Sequence, residues 1–382
     1  MNKITFYLLS TLIFFTACTK SSFNVQSNFD SADNNASSAP GGQQPPENNT
    51  PSDGSSDVDN PQQDTPAPIV VGPKLDICSK LQFDQVEWPN ILSNNEQNYL
   101  ALALNVTGSF EGLSGWSNLS NNFDGMGISL GILQQNLGMG SLQPILFEAL
   151  EKANQGLIIM SQDKKQSLES MIGQWKYDLS KSANQNNKND LFKDDYIKIS
   201  PIDKHGDIVS FAVDYTLNGG SNVINKKSVS WALGELFIDG GKTFRSDWKE
   251  ALNNLAQDKE YVGLQLNYSL SLYNKALLYF KAFQLKEVRS FLLMYDFVVQ
   301  NGGFKKKVLT SYNSFLNANK QATETERLKK ILDLRIQDVL PQWKSDVANR
   351  KEAIINSSGV VHGAKRNLEK EYCYEAGSEI VF

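Results

Sequence analysis

The chain opens with an apolar run, "MNKITFYLLSTLIFFTAC", in which one early lysine precedes roughly 14 apolar residues, shorter than the ~20 a membrane-spanning helix needs. This pattern predicts a signal peptide over residues 1–17. From 19 to 73 the chain is Ser, Asn, Asp, Gln, Pro and Gly with hardly an aliphatic cluster. Such a stretch cannot bury enough apolar surface to offset its chain entropy, and it is expected to be a disordered tether.

Helical apolar spacing begins in "NNEQNYLALALNVTGSFEG", through Leu100, Leu102, Leu104 and Val106, with Ser93 or Asn94 as the cap. This helix delivers Glu111 at or just past its C-terminal end. Gly108, Gly112 and Gly115 then loosen the chain, and "FDGMGISLGIL" alternates small and apolar residues as a short strand or hairpin does. A new helix is predicted near Ser141, with Pro144 in its first turn. "KKQSLESMIGQWKYDLSKSA" reads as helix, "NQNNKND" as an exposed loop, and "YIKISPIDKHGDIVSFAVDYTLNGG" as strands broken by a turn at His205 to Asp207. From Trp231 onward the pattern is nearly all helical, with "GVVHG", Gly359 to Gly363, as a turn-like loop. Residues 74–382 are therefore expected to form one large, mainly α (α+β) domain, of two lobes, with a small hairpin that bears an acid.

Composition narrows the function classes. The chain has 42 acidic and 37 basic residues. Residues 1–73 hold seven of the acids and two of the bases, which leaves 35 of each in the remainder. A neutral folded part gives no support to nucleic-acid binding. Three cysteines are present. Cys18 follows the small pair Thr16 and Ala17, which resembles the cleavage box of bacterial lipoproteins, although Phe15 replaces the usual leucine. The resemblance implies lipid on Cys18 and a membrane anchor, with Thr19 favouring the outer membrane over the inner; the alternative is a plainly secreted protein cut nearby. Cys78 and Cys373 remain, and in an exported protein this even pair suggests one disulfide, two buried thiols being the alternative. With only two histidines and no close cysteine pair, no metal is expected. No nucleotide loop or hydrolase elbow is found, and no cofactor is expected.

Glu111 and Asp124 stand 13 residues apart in a glycine-rich stretch with no base between them. Splitting a glycosidic bond takes two carboxyl groups in unlike environments, one protonated to donate to the leaving oxygen and one ionised to activate water. Glu111, beside Phe110 and near Trp116, is expected in partial burial that raises its pKa. Asp124, next to Gly125 and Gly127, is expected in a solvated turn that keeps it ionised. Two acids across a loop also occur by chance.

A glutamate closing a helix, a hairpin bearing an aspartate and then Gly131, Ile132, Leu133 and Gln134 resemble the lysozyme-like superfamily, in which goose-type lysozymes and lytic transglycosylases carry Gly-Leu-Met-Gln at that place. The closest likeness is to the chitosanases of glycoside hydrolase family 46. Their Ser-Phe-Glu is matched by Ser109, Phe110 and Glu111, and their Asp-Gly-Arg-Gly-Tyr-Thr-Ala-Gly-Ile by "DGMGISLGI". The resemblance implies Glu111 as general acid, Asp124 as general base and Ser129 as the residue that orients the attacking water. "SFLLMYDFVVQNGG", from Ser290, is similar to a second chitosanase patch and makes Asp296 a group that holds the site together or contacts sugar, or else an ordinary paired helix acid. Gln134 and Trp116 are further candidates for sugar contact, although Trp116, Trp231, Trp248 and Trp343 belong to a type more often found in cores. Met126 stands where the chitosanase pattern has arginine, so the likeness constrains chemistry more than substrate.

The expectation is a monomeric, lipid-anchored, lysozyme-like glycosidase acting on peptidoglycan or another glucosamine-containing polymer, in the periplasm or outer membrane or released from it. Two rivals remain: a lytic transglycosylase using Glu111 alone, and a non-catalytic wall-binding lipoprotein.

Overall fold

The computed structural model describes residues 75–84, 86–185 and 225–381, the side chains of 179–185 excepted. The signal peptide, Cys18, the tether and the strands expected near His205 lie outside these residues. Within them the chain is mainly helical, with two small antiparallel sheets.

Helix α1 (Asn94–Glu111) starts at Ser93, whose hydroxyl accepts from Glu96 N–H while the Glu96 carboxylate accepts from Ser93 N–H at 2.9 Å. This reciprocal box satisfies two donors that a helix start otherwise leaves orphaned. Gly112 ends the helix because the chain must pass close to Asn118: a Cβ on Gly112 would lie 2.6 Å from its side-chain oxygen. Three two-residue strands follow, β1 (Leu119–Ser120), β2 (Ser129–Leu130) and β3 (Gln135–Asn136), paired antiparallel in that order. Helix α2 (Gln143–Asn154) then opens with its proline in the first turn, where a missing N–H costs nothing.

The remaining helices are α3 (Gln162–Gln185), α4 (Lys226–Glu235), α5 (Ser246–Gln257), α6 (Lys259–Ala282), α7 (Val288–Asn301), α8 (Lys306–Ala318), α9 (Glu324–Ile336), α10 (Lys344–Ile355) and α11 (Leu368–Tyr372). Of the turn-like loop expected at 359–363, only His362 and Gly363 form the turn; residues 359–361 belong to a hairpin, β4 (Ser358–Val361) with β5 (Ala364–Asn367). His362 and Gly363 at its turn both have positive φ, 51° and 82°, the two-residue geometry whose twist matches paired strands.

Two hydrophobic clusters form the interior. One joins α1, α7 and the C-terminal helices through Leu104, Phe291, Phe297 and Tyr312; the other joins the three-stranded sheet to α2, α3, α4 and α5 through Leu130, Leu146, Trp175 and Trp248. Helix α6 serves both, with Leu266, Tyr273 and Leu277 on one side and Tyr261, Leu264 and Tyr268 on the other. A helix buried on most of its circumference has little amphipathic contrast, which is why "YVGLQLNYSLSLYNKALLYF" is apolar nearly all round.

Cys78 and Cys373 form a disulfide, closing a separation of 295 residues. Beside it, Cys78 N–H donates to Tyr372 O at 3.0 Å.

Candidate functional site

Glu111, the last residue of α1, meets Arg350 of α10, whose Nη1 donates to Oε1 at 2.6 Å. The other carboxylate oxygen, Oε2, has no hydrogen-bond partner in the described residues, and the Glu111 side chain is 22 % exposed. Arg350 itself is buried and forked onto Asp296 of α7, with Nε to Oδ1 at 2.9 Å and Nη2 to Oδ1 at 2.6 Å. Lys351, next in α10, also contacts the Asp296 carboxylate and donates to Gln300 Oε1 at 2.8 Å. Two acids and two bases thus form a network in which only Glu111 reaches the surface.

Burial alone would neutralise these groups; their mutual attraction decides otherwise. Burial works against the Asp296 carboxylate, but Arg350 and Lys351 outweigh it and hold its pKa below the ordinary aspartate value. Burial likewise opposes the Arg350 charge, and Asp296 with Glu111 still holds that pKa above its usual range. For Lys351 burial prevails over Asp296, and Arg350 adds to it, pushing the ammonium down to about 8. Asp296 is therefore a buried anchor for Arg350 and makes no contact with solvent, so the alternative of a sugar contact does not fit its position.

The neighbours of Glu111 are held in the same manner. Arg366 of β5 donates to Ser109 Oγ at 3.0 Å, is forked onto Glu371, and faces the Phe110 ring at 5.2 Å. Arg350 faces that ring at 5.0 Å. All three residues of the Ser-Phe-Glu triplet are thus fixed by two arginines from the C-terminal part of the chain.

Asp124 lies in the turn between β1 and β2. Its Oδ1 accepts from Met126 N–H at 3.0 Å, Asn122 Oδ1 accepts from Gly127 N–H at 2.7 Å, and Gly125 and Gly127 have positive φ, which residues with a Cβ resist. A second loop braces this turn: Asn122 N–H donates to Gly241 O at 3.1 Å and Asn121 Nδ2 to Lys242 O at 2.8 Å. Asp239 caps that loop by accepting from Lys242 and Thr243. Met126 is a packing residue, its sulfur seated where a side chain on Gly138 would be.

The electrostatic setting differs from the one expected. Asp124 is exposed, as a solvated turn requires, while the atoms packed around its carboxyl raise its pKa by desolvation, opposed by the N–H groups of Met126 and Asp124. Glu111 does not sit in an apolar pocket beside Trp116; its partner is a guanidinium. Trp116 is core: its ring meets Phe83 edge-on at 5.5 Å and its N–H donates to Gln82 O. A ring so placed offers no face to a sugar. Gln134 is taken up within the sheet, accepting from Ser120 Oγ at 2.6 Å and donating to the carbonyls of Asn118 and Gly131. Ser129 is buried on β2 between Ser120 and Asn136.

The sheet is seated on α1 and on α6 by one contact each. A Cβ on Gly108 would lie 2.3 Å from the Ile132 side chain, and Ile132 N–H donates to Gln265 Oε1 of α6 at 2.9 Å. The structure therefore places the acid that ends α1 and the acid-bearing sheet side by side on a shared scaffold, with the hydrogen bonds of each carboxylate going to separate partners.

Arg350, Lys351 and Arg366 were not singled out from the sequence. A signal was present: the chain has only six arginines. All six donate to a carboxylate or a backbone carbonyl. In a lysine-rich chain, arginine marks the positions where a planar fork is needed.

Among the described residues no group of three or more His, Cys, Asp or Glu is placed to hold a metal ion. No protein-family model, curated protein or solved structure matches the chain.

Proposed function

We propose that the chain is a lysozyme-like glycoside hydrolase that cleaves β-1,4 bonds of an amino-sugar polymer, with deacetylated peptidoglycan the substrate that best suits an exported, lipid-anchored protein. The observation that carries this reading is the placement of Glu111: it closes α1, is locked through one oxygen by the buried Arg350, and leads directly into a three-stranded sheet whose first turn carries Asp124. The chitosanase resemblance supports the same order of helix, acid, sheet and second acid.

In this reading protonated Glu111 donates from Oε2 to the glycosidic oxygen as the C1–O bond breaks. Asp124 takes a proton from water as the water oxygen bonds to C1 from the opposite face, with Ser129 orienting that water, and the configuration at C1 inverts. Arg350 keeps the Glu111 carboxyl from rotating, which limits the conformations that must be frozen when sugar binds.

A second reading is favoured by the separate hydrogen-bond partners of the two acids, Arg350 for Glu111 and Met126 N–H for Asp124, because no hydrogen bond among the described residues couples them. A lytic transglycosylase needs only Glu111, acting first as acid and then as base, and forms a 1,6-anhydro end.

The test is mass spectrometry of products from the full chain and its Glu111→Gln and Asp124→Asn variants, on native sacculi, deacetylated sacculi and chitosan. Reducing ends lost in both variants support the hydrolase. Anhydro ends that persist in Asp124→Asn support the transglycosylase. Binding without cleavage by the unaltered chain leaves a wall-binding lipoprotein.

A further inference from the structure

Trp343 is the one tryptophan among the described residues that is exposed, at 43 %, while Trp231 is half-buried and Trp88, Trp116, Trp175 and Trp248 are buried. It ends the short 3-10 turn Pro341–Trp343 that leads into α10, and it borders a cleft of about 290 Å3 between that helix start, the end of α7 and the end of α9. The polar wall is rich in acceptors. Asp338 Oδ2 and Asn301 Oδ1 are buried with no hydrogen-bond donor, although Lys307 takes the other oxygen of Asp338 at 2.6 Å. His362 Nε2 lies 2.9 Å from Asp346 Oδ1, a contact that holds the Asp346 carboxyl below the ordinary aspartate range, and the Asp346 side chain is still more than a third exposed. Arg335, the base on this wall, spends donors on the carbonyls of Gly303 and Asn301.

The cleft is coupled to Glu111 through side chains alone. Gln300 Nε2 reaches Asp346 Oδ2 at 3.5 Å, Gln300 Oε1 accepts from Lys351, and Lys351 and Arg350 share Asp296.

We propose that this cleft is a subsite for one glucosamine unit of the substrate, with the sugar ring on the Trp343 indole and its ammonium and hydroxyl donors facing Asp346, Asp338 and Asn301. An aromatic face, a volume near the lower end of the ~300–1,000 Å3 usual for small-ligand sites, and acceptors in need of donors fit a single aminated pyranose. Acceptors buried without donors cost folding free energy, and a ligand that supplies the donors recovers it. The ligand class rests on the glycosidase reading; the location of the cleft does not.

The experiment titrates a short β-1,4-glucosamine oligomer into the full chain carrying Glu111→Gln, so that binding is read without turnover. The same titration is made with Trp343→Ala, Trp343→Phe and Asp346→Asn added. Acrylamide quenching of tryptophan emission reports the one exposed indole. The expected result is protection of that indole by oligomer, at least tenfold weaker binding with Trp343→Ala, partial recovery with Trp343→Phe, and weaker binding with Asp346→Asn. Unchanged melting temperatures exclude misfolding, since Trp343 is a surface residue. Equal affinity in all four proteins, or binding that leaves the indole exposed, overturns the subsite while the glycosidase reading stands on its product analysis. No binding of any oligomer overturns the subsite too, and a lack of cleavage in the parallel product analysis is what removes the enzyme reading itself.

Discussion

Arg350 and Glu111 are 239 positions apart in sequence and 2.6 Å apart in the fold, and the guanidinium that makes this contact is buried while the carboxylate it holds is not. Arg350 therefore acts as a rigid post between the interior and the surface. Arg350→Lys keeps a positive charge but loses the fork, so Asp296 is left with imperfect pairing at a buried site. Loss of about 3–5 kcal/mol is expected in urea unfolding of Arg350→Met, the range for breaking a buried pair, with a smaller loss for Arg350→Lys. Equal stability of wild type and both variants would show that the network is not part of what holds the fold.

The sheet junction offers a sharper steric test. Gly131 has φ of 91°, and a Cβ there would lie 2.3 Å from Gln265 Oε1, the acceptor for Ile132 N–H. Gly131→Ala is expected to destabilise by about 2 kcal/mol or more, from strain and a displaced buried hydrogen bond together. Chemical-shift changes should spread from Ile132 to Trp116, whose carbonyl accepts from the same glutamine.

Lys275 gives a pH signature. Its ammonium is buried on α6, donates to Gly302 O at 2.6 Å, and burial pushes its pKa down to about 8 from the ordinary 10.5. Between these values the unfolded chain binds more protons than the folded one, so unfolding free energy contributed by this group rises with pH across that window. The burial penalty is felt in full below about 8. Lys275→Met removes this slope, and the stability difference between wild type and variant should move in favour of wild type by of order 1 kcal/mol per pH unit over the window. A difference independent of pH would mean that Lys275 stays charged in the fold.

The Cys78–Cys373 disulfide closes 295 residues, and the chain-entropy account gives long loops the larger effect. Replacing both cysteines by serine is expected to cost about 2–5 kcal/mol, read as a lower urea midpoint. The same shift should appear in wild type under reductant and be absent in the double variant.

Much of the local order around the candidate site was legible in the sequence. The Ser93 cap, the helix ending on Glu111, the strand pattern after Gly127 and the proline-started helix at 143 all follow from short-range rules, and the disulfide follows from an even cysteine pair. What was not legible depends on contacts between distant segments. The apolar neighbours of Glu111 in sequence suggested an apolar setting, yet its decisive partner comes from α10. Trp116 looked like a sugar platform and is core, because Phe83 and Gln82 cover it from a segment with little periodicity of its own. Glycines around Asp124 suggested solvation, and the residue is exposed, but the loop bonds from Asn121 and Asn122 to Lys242 and Gly241 that brace its turn come from a distant segment.

The disulfide has a mechanical consequence. Cys78 lies at the start of the described fold and Cys373 near its end, and Cys78 N–H is bonded to Tyr372. Tension applied to the chain ahead of Cys78 passes across the sulfur bridge to Cys373, at the end of α11, and bypasses the helices between the two cysteines. Peeling α1 away from its N-terminus is then blocked while the bridge is intact, and a pull on the chain ahead of Cys78 is expected to leave the covalent ring from 78 to 373 closed.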